Sequence, residues 1–442
     1  MKGDIDQLEE LIAQIQSDQM RRIQNKVDEP ISINIFNTNA GQGQSTSGLN
    51  GQFVHSQLLL DCLLRMKSTS TDKNELIELC QQEYQGNNVQ LAILHEFKQD
   101  YSSDRSVWWY TRESFLFRLL NKALRVQNID LLFAFRFIIR DIERQLDHHR
   151  CSSPVRLYRG QLMSKEELQV LRNSIGELIS MNSLLSTSVN RQVAMFCLGE
   201  SSVDNDLERV LLEIDADPRL KDIKPFANIT SLSYFSGEEE VLMMMGSIFR
   251  LNDIYRDEDR VWIIRMTLCS DSDHDLKTLF DHMKNKYGDG ETSLYSFGHV
   301  LRKMGKFDEA EKYYRRLLNE LPSDHGDIVR CYWGLGDVTD EKGDYDSSLS
   351  WHQKSLEIKI RTLKSDDPSI ASSHNSIANV HWRKGDHKRA LESSEKALII
   401  WKRAFGENHP DVAMCLNNMG MLYRKENRYF SMIKVIEYCT IN

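Results

Sequence analysis

The sequence predicts an α+β fold, with a mixed or antiparallel β core and a helical lobe, followed by an all-α solenoid. Three observations predict it. Apolar residues recur at helical spacing through residues 107–146. Between residues 155 and 268 the pattern changes to many short strand-like runs with few helices between them. Beyond residue 294 the chain repeats itself, with Gly298, Gly336, Ala378 and Gly420 separated by 38, 42 and 42 residues.

A chain of 442 residues, 40% hydrophobic and 27% charged, is long enough for two or three domains with sizeable cores. Its net charge of −9 argues against general binding to nucleic acid or anionic membranes, so neither is expected as a partner. No signal-like pattern opens the sequence, and the apolar run 131–135 is stopped by Arg136 and Arg140. Eight scattered cysteines without a Cys-x-x-Cys pair suit free thiols in a reducing compartment. Together these features predict a soluble, cytoplasmic protein. Asp147-His148-His149-Arg150-Cys151 lacks a second ligand pair, so it reads as a polar linker and no metal is expected.

In chain order, residues 4–27 show helical spacing that ends at Asp28-Glu29-Pro30. Residues 31–36 alternate like a short strand. The glycine-rich stretch 41–48 has no lysine for a phosphate loop and reads as a linker. Helical spacing returns over 53–66 and 75–97, and the aromatics of 107–146 read as packing. Strands are expected at 155–160, 183–189, 209–214, 227–232, 240–244, 247–251 and 260–268, with helices at 165–173 and 191–197. Residues 271–293 are acidic and suit a linker. The division that follows is an N-terminal region 1–99, an α+β domain 100–270, a linker 271–293 and repeats 294–442.

In those repeats a turn follows each anchor at a fixed interval, at Gly305-Lys306-Phe307, Gly343-Asp344-Tyr345, Gly385-Asp386-His387 and Asn427-Arg428-Tyr429. Ala310, Ser348 and Ala390 stand twelve places after the first three anchors, where a second helix must approach the first closely. These residues, with Phe405-Gly406-Glu407-Asn408-His409-Pro410, resemble tetratricopeptide repeats of the kinesin-light-chain type. That resemblance implies a solenoid that binds a peptide or protein partner. The fourth repeat departs from it, with Met432 where a small residue is expected.

Chemistry gathers in three pieces of the β-rich region. Phe235-Ser236-Gly237-Glu238-Glu239-Glu240-Val241 places three carboxylates at a strand entrance, where like charges repel and resist desolvation. In extended chain Glu238 and Glu240 share one face and Glu239 points to the other. Tyr158-Arg159-Gly160 offers a planar guanidinium fork suited to a diphosphate, beside a residue that lets a ligand approach the backbone. Leu185-Ser186-Thr187-Ser188 supplies small hydroxyls able to hold a ribose and orient a glutamate.

The order and spacing of these pieces resemble the R-S-E class of mono-ADP-ribosyltransferases, across roughly residues 100–268. The resemblance includes Tyr110-Thr111, Asn121-Lys122-Ala123-Leu124-Arg125 and Gly246-Ser247. It implies an ADP-ribosyltransferase fold and NAD as the substrate, with ADP-ribose passed to arginine side chains of a target protein that the repeats recruit. It assigns Arg159 to the diphosphate and the Gly160 backbone to the nicotinamide carboxamide. Ser186 would orient Glu240, while Thr187 and Ser188 shape the ribose pocket. Glu240 would stabilise the oxocarbenium-like transition state, and Glu238 would engage the acceptor guanidinium. Phe196 would lie against nicotinamide, and Tyr234 with Phe235 would form the recognition loop. Two alternatives remain open at this point: an NAD glycohydrolase, and an inactive peptide-binding scaffold.

Overall fold

A computed structural model describes residues 32–36, 49–69, 71–198, 206–235, 239–270, 290–322 and 325–425. The helix expected over 4–27, the glycine-rich stretch 41–48, most of the acidic stretch 271–293 and the end of the fourth repeat lie outside them. The chain divides into two compact units, Met1–Glu291 and Thr292–Asn442. The first is α+β with a mixed sheet, and the second is all helical, which is the fold class that the sequence predicts. No described helix is long and apolar enough to cross a membrane.

The first unit is built on two sheets. The larger runs β1 (Ile33–Phe36), β3 (Leu178–Met181), β8 (Ser247–Arg256), β9 (Trp262–Cys269), β5 (Leu207–Ala216) and β2 (Val155–Ser164). Only the β5–β9 pairing is parallel. The smaller sheet is antiparallel, in the order β4 (Leu185–Thr187), β7 (Val241–Met243) and β6 (Phe226–Asn228). Leu157, Met181, Leu212 and Ile214 of the large sheet share one buried apolar core with Leu185, Phe226, Val241 and Met243 of the small one. Removing this apolar surface from water contributes most to holding the two sheets together.

Local chemistry sets where elements start and stop. β2 ends at Ser164, whose Oγ accepts from the Glu167 backbone N–H while Glu167 Oε2 accepts from Ser164 N, a capping box that opens α7 (Lys165–Arg172). β3 is absent from the sequence expectation. All four of its residues are buried, so the run lacks the alternation that marks a half-buried strand. The strand expected over 227–232 stops at Asn228, whose side chain accepts from the Thr230 N–H and hydroxyl, while Ser233 N donates to Ile229 O in a helix-like turn.

The helical lobe contains α1 (Leu49–Arg65), α2 (Asp72–Glu83), α3 (Asn88–Asp100), α4 (Ser106–Thr111), α5 (Phe115–Val126) and α6 (Ile129–His148). The helical spacing over 75–97 is two helices, divided where Gly86 takes φ +87° and Asn87 caps α3. Residues before 100 belong to this unit as well: β1 pairs in register with β3, Ile33 opposite Met181, and Phe53 of α1 is fully buried against Leu178 and Ile248.

In the second unit, helix pairs follow one another: α9 (Leu294–Lys303) with α10 (Phe307–Glu320), α11 (Asp327–Glu341) with α12 (Tyr345–Thr362), and α13 (Pro368–Lys384) with α14 (His387–Phe405). α15 (Pro410–Lys425) opens the fourth repeat. The anchors are small because the partner helix touches them. A Cβ on Gly298 would lie 2.7 Å from the Tyr314 ring, and one on Gly336 2.6 Å from the His352 ring. Ala310, Ser348 and Ala390 are fully buried on the approaching helices. Gly305, Gly343 and Gly385 make the turns, each with φ between +74° and +86°.

Candidate active site

Two short ladders bring the separated pieces together. β2 runs beside β5 with Arg159 opposite Leu212 and Gly160 opposite Leu211. On its other edge Tyr158 exchanges both backbone hydrogen bonds with Ser188, at 2.8 and 2.9 Å, which ties β2 to the end of β4. β4 pairs with β7, placing Ser186 opposite Leu242 and Thr187 opposite Val241. Glu240 immediately precedes β7, so it comes up beside Ser186.

The two faces of β2 do different work. Leu157 and Met163 enter the core between the sheets, while Tyr158 and Leu162 pack towards α8 (Arg191–Cys197). Period-two alternation puts Arg159 and Gln161 on the first of these faces. Arg159 Nη1 donates to the Ser186 carbonyl at 2.9 Å, and its Nε and Nη2 donate to Gln161 Oε1 at 3.3 and 3.1 Å. Gln161 is buried and donates through Nε2 to the Leu162 carbonyl. A carbonyl from β4 and an amide from its own strand thus help to orient the fork.

Ser186 Oγ donates to Glu240 Oε1. The Glu240 side chain is buried at 6% exposure, and its backbone carbonyl accepts from Ile229 N at 2.9 Å. A carboxylate taken this far out of water needs donors around it, and the serine hydroxyl is one. Glu239 is exposed, so these two neighbours divide between solvent and interior as an extended chain requires. Glu238 lies outside the described residues.

Thr187, Ser188 and Gly160 hold the frame around these groups. Thr187 Oγ1 donates to the Val241 carbonyl at 2.7 Å and stitches β4 to β7. Ser188 Oγ accepts from Asn190 N at 3.0 Å in the turn into α8, which Asn190 then caps. Gly160 permits that helix to pack: a Cβ there would sit 2.3 Å from the Ala194 carbonyl oxygen. Its backbone N–H and C=O lie two residues along the edge from those of Tyr158, and so face away from β5 in the same direction. Phe196 stands on α8 with 62% of its surface exposed, outside the apolar core.

Sequence reasoning missed Gln161, although its place two residues after Arg159 was the available signal. Trp108, expected to pack among the aromatics of 107–146, is only half-buried and lies against Tyr234, ring centroids 5.0 Å apart with the planes tilted by 60°. Tyr110 and Asn121 do meet, the phenol donating to Asn121 Oδ1 at 3.1 Å in a buried position. Among the described residues no cluster of three or more His, Cys, Asp or Glu side chains could hold a metal. The assembled groups can hold an anion at the guanidinium fork and stabilise positive charge beside a buried carboxylate.

The tetratricopeptide-repeat family model matches residues 291–361 and 369–429. Among solved structures, the chain is similar to BtubC (BKLC) from P. vanneervenii at 23% identity, over 37% of this chain and 66% of that one, with a TM-score of 0.31. It is similar to Vis toxin, an ADP-ribosyltransferase from Vibrio splendidus, at 18% identity over 48% and 91% of the two chains, TM-score 0.30. A third similarity is to the ADP-ribosyltransferase HopU1 of Pseudomonas syringae pv. tomato DC3000, at 15% identity over 46% and 100%, TM-score 0.31.

Proposed function

We propose that the α+β unit is a mono-ADP-ribosyltransferase that moves ADP-ribose from NAD to arginine side chains, and that the repeats recruit the protein carrying them. The observation that carries this reading is the hydrogen bond from Ser186 to the buried Glu240, with the Arg159 fork resting on the Ser186 carbonyl. Three sequence segments that resemble an R-S-E site meet within bonding distance of one another.

Arg159 would take the NAD diphosphate by paired, charge-assisted hydrogen bonds. The outward-facing Gly160 backbone would hold the carboxamide, and Thr187 and Ser188 would border the nicotinamide ribose, with Phe196 beside the ring. The bond between the ribose anomeric carbon and the nicotinamide nitrogen breaks, and nicotinamide leaves with the electron pair. Positive charge grows on the ribose, and Glu240 would supply the carboxylate that stabilises it. Preorganised electrostatic help of this kind is worth about 3 kcal/mol per group. An arginine nitrogen then attacks the same carbon and loses its proton, a step the resemblance gives to Glu238.

Replacing Glu240→Gln keeps the hydrogen-bond shape but removes the charge, and should abolish both nicotinamide release and transfer. Glu238→Gln should lose transfer to arginine and keep some NAD hydrolysis. Full activity in the Glu240 variant would sink the mechanism, and equal loss of both activities in the Glu238 variant would remove its assigned role.

A further inference from the structure

The segment 229–235, upstream of Glu240, is fastened at two places. At its base Ile229 N bonds the Glu240 carbonyl, and Leu232 N and Ser233 N bond the Ile229 carbonyl at 2.9 and 2.8 Å. At its outer end Tyr234 docks on the helical lobe. Tyr234 N donates to Thr111 Oγ1 at 2.9 Å, and the Tyr234 ring packs on Trp108. The Arg112 guanidinium carbon lies 5.5 to 5.6 Å from the ring centroids of Trp108, Trp109 and Tyr234. Arg112 is held in turn by Glu96 of α3, Nη1 to Oε1 2.8 Å, and the Arg105 guanidinium carbon is 4.2 Å from the Trp108 ring centre.

This cluster lies at the margin of the core: Tyr234 is 42% exposed and Trp108 is half-buried, whereas Trp109 beneath Arg112 is fully buried. What the contacts do is join α3 and the end of α4 to the sequence-distant Tyr234, through directional bonds and tilted ring contacts. A planar cation shared among three rings, with a carboxylate behind it, is a geometry that lysine could not reproduce.

We propose that Thr111 and Arg112, with Trp108 and Glu96 behind them, form a platform that pins Tyr234 and thereby positions the acceptor guanidinium for transfer. The proposal rests on the transferase reading and deepens it. Tyr234 presents its exposed surface to the acceptor, and the platform residues act through it as positioning residues. Water, being small and abundant, attacks the ribose without such help, whereas a guanidinium must be held at a near-attack angle. The ratio of transfer to hydrolysis therefore reports the platform separately from the chemistry of the glycosidic bond.

The test uses the full chain with NAD and agmatine, measuring agmatine modification and nicotinamide release in the same reactions. Thr111→Val, which keeps the volume and removes the hydroxyl, should lower the transfer-to-hydrolysis ratio roughly threefold to tenfold, the size of one neutral hydrogen bond. Arg112→Ala should lower it further and raise the agmatine KM, with Arg112→Lys falling between. Hydrolysis of NAD should change by less than about twofold in Thr111→Val, since water requires no positioning. If the ratio stays at the wild-type value while wild type transfers normally, the platform proposal is overturned and the transferase reading stands. If transfer and hydrolysis fall in equal proportion, the platform is merely structural and the proposal is likewise overturned. If Arg112→Ala does not fold, the isosteric Thr111 variant decides alone. Wild-type protein that turns over no NAD at all overturns the underlying reading instead.

Discussion

Ser186→Ala tests the contact on which the site depends. The hydroxyl donates to a carboxylate that is 6% exposed, so its removal leaves Glu240 buried with one donor fewer and water poorly placed to substitute. Hydrogen bonds to charged groups contribute about 1.5–3 kcal/mol. At 1.36 kcal/mol per tenfold in rate, that predicts a fall in kcat/KM for NAD of roughly 10- to 150-fold. The assay is nicotinamide release under steady-state conditions, with thermal unfolding followed in parallel. Ser186 is only half-buried, so the fold should lose no more than about 1 kcal/mol, a shift of a few degrees in Tm. Ser186→Thr restores the hydroxyl on the same strand and should recover most of the rate. A folded Ser186→Ala protein within threefold of wild type would refute the reasoning, because Glu240 would then be oriented by something else.

Gln161→Ala removes the amide that accepts from Arg159 Nε and Nη2, so the fork should lose its preset plane and the KM for NAD should rise several-fold, about 1 kcal/mol; titration of NAD hydrolysis reads this directly, and an unchanged KM would free Arg159 from that support. The second unit offers a pH test. Burial pushes Asp337 up to about 6 from an ordinary 3.8, with Arg302 opposing and Asp340 and Glu341 reinforcing. Burial also pushes His352 down to about 4 from 6.5, helped by Lys359 and Arg302, and its Nε2 lies 3.7 Å from Asp337 Oδ1. The raised acid adds stability at low pH that is lost as pH rises through about 6, whereas the depressed histidine costs stability as pH falls from 6.5 to about 4. The two slopes oppose in wild type. Asp337→Asn should therefore leave a unit that weakens on acidification below 6.5, and His352→Gln one that strengthens; hydrogen exchange of α11 and α12 amides in the full chain would show it, and parallel pH profiles in both variants would contradict it.

Much of this architecture was legible because some residues can satisfy only one geometry. Gly298 and Gly336 stand where a ring of the next helix leaves no room for a Cβ, and Gly305, Gly343 and Gly385 stand where φ is positive. Their spacing is thus a direct trace of helix pairs. The Arg159, Ser186 and Glu240 set was legible as an order of motifs, and strand pairing then supplies the proximity that order alone cannot give. What stayed hidden had no periodic signature. β3 is buried on both faces and does not alternate. Gln161 looks like any polar residue in a strand until the fork of Arg159 closes on it. Trp108 and Tyr234 meet across 126 positions of sequence, and helical spacing among the aromatics concealed that one of them faces outward. The membership of β1 and α1 in the α+β unit follows from long-range pairing with β3, which no local pattern in residues 32–66 announces.

The most direct test of the transferase reading is to incubate the full chain with NAD labelled in its adenosine half and with agmatine, and to follow the label. Label should appear on agmatine as nicotinamide is released, and Glu240→Gln should stop both. Label that stays in intact NAD with folded wild-type protein would contradict the reading.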